Sequence, residues 1–210
     1  MSELLVNTIK KADGTGSITV PADSGTLLTS ASTNITTSQI SDGSMTLIDS
    51  GSLSGVTEAY FNDVFTSDYD NYTFILNMLW PSSGDEDLRV RLVNDGITDT
   101  NTNYAFSMEY INATLNSGTY ADDGSGTGFK IFDNHDNHSF ASRVDFFAPT
   151  KTGYFTQIRS DSHGYDNGYV KNIYGFGRYK ATTNFDGFYI YIAGGSGTMT
   201  GAYSVYGWNK

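Results

Sequence analysis

The chain of 210 residues carries a net charge of −11 with only 12 Lys and Arg, and it contains no cysteine. The acidic charge argues against nucleic-acid binding and against docking on anionic lipid, and the lack of cysteine excludes disulfides and thiolate metal sites. The length allows either one large all-β domain or one domain plus an appendage, and 15 Tyr, 13 Phe and 23 Gly predict an aromatic all-β core with many turns.

Residues 1–44 differ from everything after them, because they contain no Phe, Tyr or Trp and are rich in Ser, Thr and Gly. Their short apolar groups are separated by turn signals such as Asp13-Gly14 and bury too little surface to offset the entropy of ordering them. The segment is either a disordered tail or an anchor arm that orders against another chain, and the regular spacing favours the arm. The predicted anchor residues are Leu4, Leu5, Ile9, Ile18, Val20, Leu27 and Leu28.

The stretch Asn71–Gly96 predicts a β-hairpin. Apolar and polar residues alternate over Asn71–Trp80 with a period of two, which indicates a strand with one buried face. Turn formers follow, and Leu88–Val93 alternates again, so we expect the two strands to pair with each other. Asn94-Asp95-Gly96 predicts the turn that ends the hairpin.

Aromatic residues continue from Met45 to the last strand, and their alternation predicts ten or eleven short strands. We expect an antiparallel β-sandwich of jelly-roll type over residues 45–210, preceded by the extended arm over residues 1–44. Phe185–Ala193 is apolar on both faces and predicts a strand buried on both sides. The predicted strands are Thr46–Leu53, Thr57–Val64, Asn71–Trp80, Leu88–Val93, Asn103–Ala113, Gly128–Asp133, Ser139–Ala148, Gly153–Arg159, Tyr169–Tyr179, Phe185–Ala193 and Gly201–Trp208.

The chain shows no motif that favours catalysis. We interpret the histidines as parts of solvated polar turns, because zinc sites draw their ligands from a fixed scaffold. The acidic stretches do not match a calcium-binding loop and are typical of hairpin tips. Glu109 and Asp145 fall on polar strand faces, and no nucleophile elbow or phosphate loop occurs. We predict no catalytic residue, no metal, no cofactor and no enzymatic activity.

Polar stretches between the predicted strands favour binding instead. In Tyr120–Gly126, Asn134–Ser139 and Ser162–Gly168, tyrosine or histidine stands beside Asp, Asn or Gly, which suits sugar recognition: a tyrosine ring stacks on the sugar and polar groups bind its hydroxyls. The alternative is that each tyrosine packs on its own turn. The residues predicted to face a receptor are Tyr120, Asp122, Asp123, His135, Asp136, His138, Tyr165 and Asp166.

Three parts of the chain have recognisable motifs: the N-terminal LLVNTIKKADGTGSITVPADSGTLLTS, the stretch Gly51–Asp95 with Tyr69, Tyr72 and the Asn94-Asp95-Gly96 turn, and the closing strand through Ser196–Gly207. These parts resemble tail-fibre and related virion proteins of marine, cyanophage-like bacteriophages. Trp208 stands where Ile is common in that family. The resemblance implies a homotrimeric virion structural protein whose N-terminal arm docks on other virion proteins, and it carries over no catalytic residue.

Residues 1–44 leave no room for the extended shaft of a long fibre, so we expect a short fibre, spike or appendage on the tail, neck or capsid. Met1–Lys11 lacks the apolar core of a signal peptide and no window reaches the length of a membrane span, which predicts synthesis in the host cytoplasm without membrane insertion. Three functions stay open: an appendage whose head loops contact a host-surface glycan, a purely architectural virion protein, and a carbohydrate-binding or depolymerising module.

Overall fold

The computed structural model of the protein describes residues 8–10, 17–19, 45–80, 86–114, 116–134, 138–166, 168–194 and 196–210. The chain divides into two compact units, Met1–Asp42 and Gly43–Lys210. In the first unit, β1 (Thr8–Lys10) pairs antiparallel with β2 (Ser17–Thr19), which sets Ile9 opposite Ile18. The other anchor residues lie outside the described residues, so the anchor arm stays a prediction; they are Leu4, Leu5, Val20, Leu27 and Leu28.

The regular elements described in the second unit are all β-strands. No helix in the described part of the chain has the length and the hydropathy that a membrane crossing requires. The strands are β3 (Met45–Val56), β4 (Glu58–Phe61), β5 (Asn71–Trp80), β6 (Glu86–Asn94), β7 (Ile97–Thr98), β8 (Tyr104–Asn112), β9 (Ser117–Gly126), β10 (Phe129–Asn134), β11 (His138–Phe147), β12 (Gln157–Asp166), β13 (Tyr169–Tyr179), β14 (Gly187–Ala193) and β15 (Met199–Trp208).

These strands form two antiparallel sheets that pack face to face. The order is β3-β15-β5-β11-β12-β13-β8-β9 in the eight-stranded sheet and β10-β6-β14-β4 in the five-stranded sheet, where β7 also pairs with β6. Rings from both inner faces meet in one core: the ring centroid of Phe188 lies 4.9 Å from that of Phe74 and 4.8 Å from that of Phe146. The structure confirms the predicted all-β sandwich.

The predicted hairpin over Asn71–Gly96 is wrong. β5 pairs with β11 and β15, whereas β6 pairs with β10, β14 and β7, so these consecutive strands lie in opposite sheets. The reason is that two strands with one apolar face each can bury those faces across a sandwich as well as side by side.

Two predictions that depend on local sequence are correct. Asp95 and Gly96 have φ values of 50° and 70°, as a two-residue type I′ turn between β6 and β7 requires. β14 lies between β6 and β4, and its residues Phe188 and Tyr189, which point to opposite faces, are both buried. The central position in the sheet explains why this strand is apolar on both sides.

Candidate functional site

The outer face of the eight-stranded sheet carries a groove of about 510 Å³. The groove crosses β8, β13, β12 and β11, whose register aligns Glu109 with Tyr174, Tyr174 with Asp161, and Asp161 with Arg143. Since residues directly opposite each other in a sheet share a face, these side chains all point away from the core. The groove therefore collects side chains from four strands of a rigid sheet.

Two aromatic rings, Tyr174 and Phe176, stand beside each other on β13 and are 51% and 55% exposed. Gly175 and Gly177 alternate with them and point inwards. A Cβ atom on Gly177 would lie 2.6 Å from the ring of Phe129, so the inner side of β13 admits only glycine there. The large residues of this stretch are consequently on the solvent side, where exposed apolar surface indicates a binding site.

A buried carboxylate fixes two guanidinium groups beside these rings. Asp145 is 1% exposed and accepts hydrogen bonds from Arg143 Nε at 2.9 Å, Arg159 Nη2 at 2.5 Å and Thr73 Oγ1 at 2.7 Å. Thr73 in turn accepts a hydrogen bond from Trp208 Nε1 at 2.8 Å. The two arginine side chains are themselves 45% and 51% exposed. Charge-assisted bonds of this kind hold the guanidinium groups in place while leaving part of each open to a ligand.

Carboxylates complete the groove on either side of Tyr174. Glu109 is exposed on β8, and Asp161 on β12 lies 3.0 Å from His163 Nε2. The ring of His163 also meets Tyr174 edge-on, with 6.5 Å between ring centroids, and its Nδ1 is 2.9 Å from Asn172 Oδ1. The groove thus offers hydrogen-bond donors, acceptors and apolar ring faces within one surface.

A second depression of about 580 Å³ adjoins the groove on the same outer face. His163 and Ala141 are opposite each other on β12 and β11, two residues beyond Asp161 and Arg143, and they line its near side. Asn77 and Leu79 of β5 line its far side, and Leu79 is 58% exposed.

The outer face of the five-stranded sheet carries tyrosines that cover one another. The ring centroids of Tyr60 and Tyr189 are 4.5 Å apart, those of Tyr189 and Tyr191 are 5.1 Å apart, and Arg91 stacks 4.4 Å from the ring of Tyr191. The hydroxyl of Tyr189 donates to Glu58 Oε2 at 2.6 Å. Burial and this hydrogen bond raise the pKa of Tyr189.

The first of the predicted receptor loops is a strand. Tyr120, Asp122 and Asp123 belong to β9, which pairs with β8. Gly and Asp are rare in strands, but pairing along a sheet edge needs only the backbone. Tyr120 lies on the inner side, where its ring stacks 5.6 Å from that of Tyr110 and 4.3 Å from Lys130 Nζ, so the prediction of an exposed loop ring is wrong.

The other predicted receptor residues fall on different elements. β12 continues to its last residue, Asp166, instead of ending near Arg159, so the predicted loop Ser162–Gly168 is mostly strand. Tyr165 lies on this strand, on the same outer face as the groove, and is 38% exposed. His138 begins β11, while His135 and Asp136 lie outside the described residues.

The acidic residues and the histidine whose side chains could take part in catalysis or bind a metal contact other residues of the fold. His163 belongs to a strand and not to a turn. Asp87 lies 2.7 Å from both Arg89 Nη2 and Lys130 Nζ, and Glu86 accepts a hydrogen bond from the Gly197 amide at 2.8 Å. Among the side chains that the structure describes, no three or more His, Asp or Glu come together as a metal ion would require. Asp145 lies on the polar face as predicted, but it is buried there.

The sequence reasoning did not find Tyr174, Phe176 and the two arginines of the groove. A signal was present in the YGFG run of β13, where rings alternate with glycines. Such a strand has aromatic side chains on one face and only glycines on the other, so the rings must pack against something outside the strand. Deciding between the core and a ligand as that partner requires the packing of the opposite sheet.

No protein-family model and no curated protein matches the chain. Among solved structures, the chain is similar to the CBM2 module of the evolved Dit of Lactobacillus casei BL23 phage J-1. The two are 8% identical, the match covers 73% of this chain and 69% of that chain, and the TM-score is 0.27.

Proposed function

We propose that the protein is a bacteriophage appendage protein that binds a neutral glycan of the host surface through the groove on the eight-stranded sheet. The observation that carries the proposal is the pair of exposed rings, Tyr174 and Phe176, beside two guanidinium groups fixed by a buried carboxylate.

Sugars present two kinds of surface, and the groove has a match for each. The C–H face of a pyranose is apolar and packs on an aromatic ring, which buries much area at little entropic cost. The hydroxyls donate and accept hydrogen bonds, so they need donors such as Arg143 and Arg159 next to acceptors such as Glu109 and Asp161. Because Asp145 holds the guanidinium groups before the ligand arrives, binding loses less side-chain entropy.

The charge of the groove favours a neutral ligand. The two arginines face three carboxylates, those of Asp145, Asp161 and Glu109. The whole chain carries −11, so an acidic polysaccharide would be repelled at long range as well. Neutral hexose polymers meet neither barrier.

The setting that we propose is the virion, with the segment before residue 45 bound to another virion protein and the β-sandwich exposed. The sequence resemblance to marine phage fibre proteins supports this setting. A homotrimer would present three grooves, and their combined avidity would compensate for a weak single site. A molar-mass measurement in solution tests the trimer, and a strictly monomeric particle contradicts it.

Binding is tested with immobilised neutral polysaccharides from bacterial envelopes and with calorimetry on the oligosaccharides they yield. Tyr174→Ala and Phe176→Ala should each lower the affinity about tenfold, because each removes one ring contact. Tyr60→Ala is the matched control, since Tyr60 is 48% exposed against 51% for Tyr174 but lies on the other sheet. Equal binding by all the variants and the unchanged protein would overturn the proposal.

The same material tests whether the groove binds without turnover. Glu109 and Asp161 flank Tyr174, and glycosidases also use two carboxylates around a sugar. We expect no new reducing ends after prolonged incubation with the bound polysaccharide. Release of reducing ends by the unchanged protein, lost in Glu109→Gln, would make the protein a glycosidase.

An architectural role is separated from host binding on the particle itself. Phage that carries Tyr174→Ala and Phe176→Ala together should assemble normally and adsorb poorly. Normal adsorption by such particles would leave the protein with an architectural role only.

A further inference from the structure

We propose that the ligand is the interior of an extended polysaccharide chain, which continues from the groove into the second depression around Leu79. This inference rests on the proposed glycan binding and adds where and how the polymer lies. A site for a chain end would instead be complete within the groove.

The two depressions form one path across the sheet. They share β12 and β11, and they meet where His163 and Ala141 follow Asp161 and Arg143 along those strands. The path runs from Glu109 on β8 to Thr200 on β15, which pairs with β5. Neighbouring strands are spaced by about 4.8 Å, so the five steps from β8 to β15 span about 24 Å. That length accommodates several sugar rings.

The junction between the depressions is low because Ala141 has the smallest side chain that β11 could place there. Its neighbour across the register, His163, leans towards Tyr174 and Asn172. A polymer can therefore pass from the rings of Tyr174 and Phe176 over Ala141 without a steric block.

The second depression repeats the chemistry of the groove with weaker groups. The side chain of Leu79 offers an exposed apolar surface, and Asn77 on the same strand is exposed and offers an amide that both donates and accepts. Such a surface suits additional sugar units whose contacts add to those made at Tyr174 and Phe176.

The test is calorimetry with a length series, from two to eight sugars, prepared from whichever neutral envelope polysaccharide the protein retains. We expect the affinity to rise at least tenfold from the shortest to the longest oligosaccharide. Ala141→Tyr should block the junction sterically. The affinity for the longest oligosaccharide should then fall to that for the shortest, and the affinity for the shortest should not change.

Leu79→Ser should weaken binding of the long oligosaccharides only. Leu47→Ser is its matched control, because Leu47 is 52% exposed on β3 of the same sheet and lies outside both depressions. Oligosaccharides of every length binding equally well, with Ala141→Tyr unchanged, would overturn the extended path and leave the glycan site standing. Retention of no polysaccharide in the panel would overturn both.

Discussion

The two outer faces of the sandwich carry aromatic residues in opposite states. Tyr60 and Tyr174 are almost equally exposed, at 48% and 51%. Tyr60 packs against Tyr189 within a series of rings that ends on Arg91, whereas Tyr174 makes a T-shaped contact with His163 and lines the groove. The exposed fraction of a ring alone therefore does not identify a binding residue. Whether the ring is available to a ligand depends on the side chains that pack against it.

The comparison also separates two uses of a polar partner. On the five-stranded sheet, Glu58 accepts a hydrogen bond from the hydroxyl of Tyr189, and the contact stays within the tyrosine series. On the eight-stranded sheet, Asp145 lies beneath its arginines, and their outer parts stay exposed. We propose that the first face stabilises the fold and that the second binds a ligand, and the four variants below test that division.

The largest expected effect is on stability, from Tyr189→Ala. Tyr189 is 7% exposed and packs against the rings of Tyr60 and Tyr191, so its removal should lower the free energy of unfolding by about 2–4 kcal/mol. Urea unfolding measures the loss. Glycan affinity measured well below the unfolding transition should not change, and a loss of affinity there would break the division between the faces.

The double variant Tyr174→Ala/Phe176→Ala should show the reverse pattern. Loss of both ring contacts is expected to lower glycan affinity about a hundredfold. The free energy of unfolding should stay within about 0.5 kcal/mol of the unchanged protein, because both rings are more than half exposed. A large loss of stability would mean that the two rings are structural.

Asp145→Asn should affect both properties. The amide cannot accept hydrogen bonds from two guanidinium groups and Thr73 as the carboxylate does. The free energy of unfolding should therefore fall by about 1–3 kcal/mol. Affinity should fall several-fold because the arginines lose their fixed orientation. Asp87→Asn is the control: Asp87 also contacts two cations, Arg89 and Lys130, but on the other sheet, and it should leave affinity unchanged.

The smallest effect is expected from Tyr189→Phe, which removes only a hydroxyl and should cost about 1 kcal/mol of stability. The pKa of Tyr189 is raised above its ordinary value of 10.0. Above pH 10 the unfolded chain has therefore released a proton that the folded protein still holds. The stability from this group is complete below pH 10 and is lost as the pH rises further.

Unfolding curves between pH 8 and pH 11 measure this loss, and Tyr189→Phe should lose stability less steeply than the unchanged protein. Tyr174→Phe serves as the control, because it removes a tyrosine hydroxyl that takes no part in the Tyr189–Glu58 hydrogen bond. Identical slopes for all three proteins would remove the role assigned to the Tyr189 hydroxyl.

The sequence was sufficient for features that depend on local alternation. The strands Asn71–Trp80 and Tyr169–Tyr179 have the predicted bounds, the turn at Asp95-Gly96 follows from its residue types, and the double-sided burial of β14 follows from its apolar run. In each of these the cause lies within a few residues of the effect.

The sequence was insufficient where distant strands choose partners. Nothing in β5 or β6 states whether they pair side by side or face each other across the core, and β9 has a composition that argues against any strand. The groove required more still: Arg143, Arg159 and Asp145 come together only once β11 and β12 are in register. The rings of β13 point outwards because side chains of the core leave no space for a Cβ atom at the alternating glycines, as Phe129 and Ile158 do at Gly177.

The hydrogen bond from Trp208 to Thr73 connects a tryptophan to the groove, so intrinsic tryptophan fluorescence can be used to measure binding there. Its indole is three hydrogen bonds away from either arginine, through Thr73 and Asp145. Trp80 and Trp208 are the two tryptophans of the chain, so replacing Trp80 with Phe leaves Trp208 as the single tryptophan, connected to the groove by these hydrogen bonds. Titration of a sugar against that emission should then follow occupancy of the proposed glycan site without any attached label.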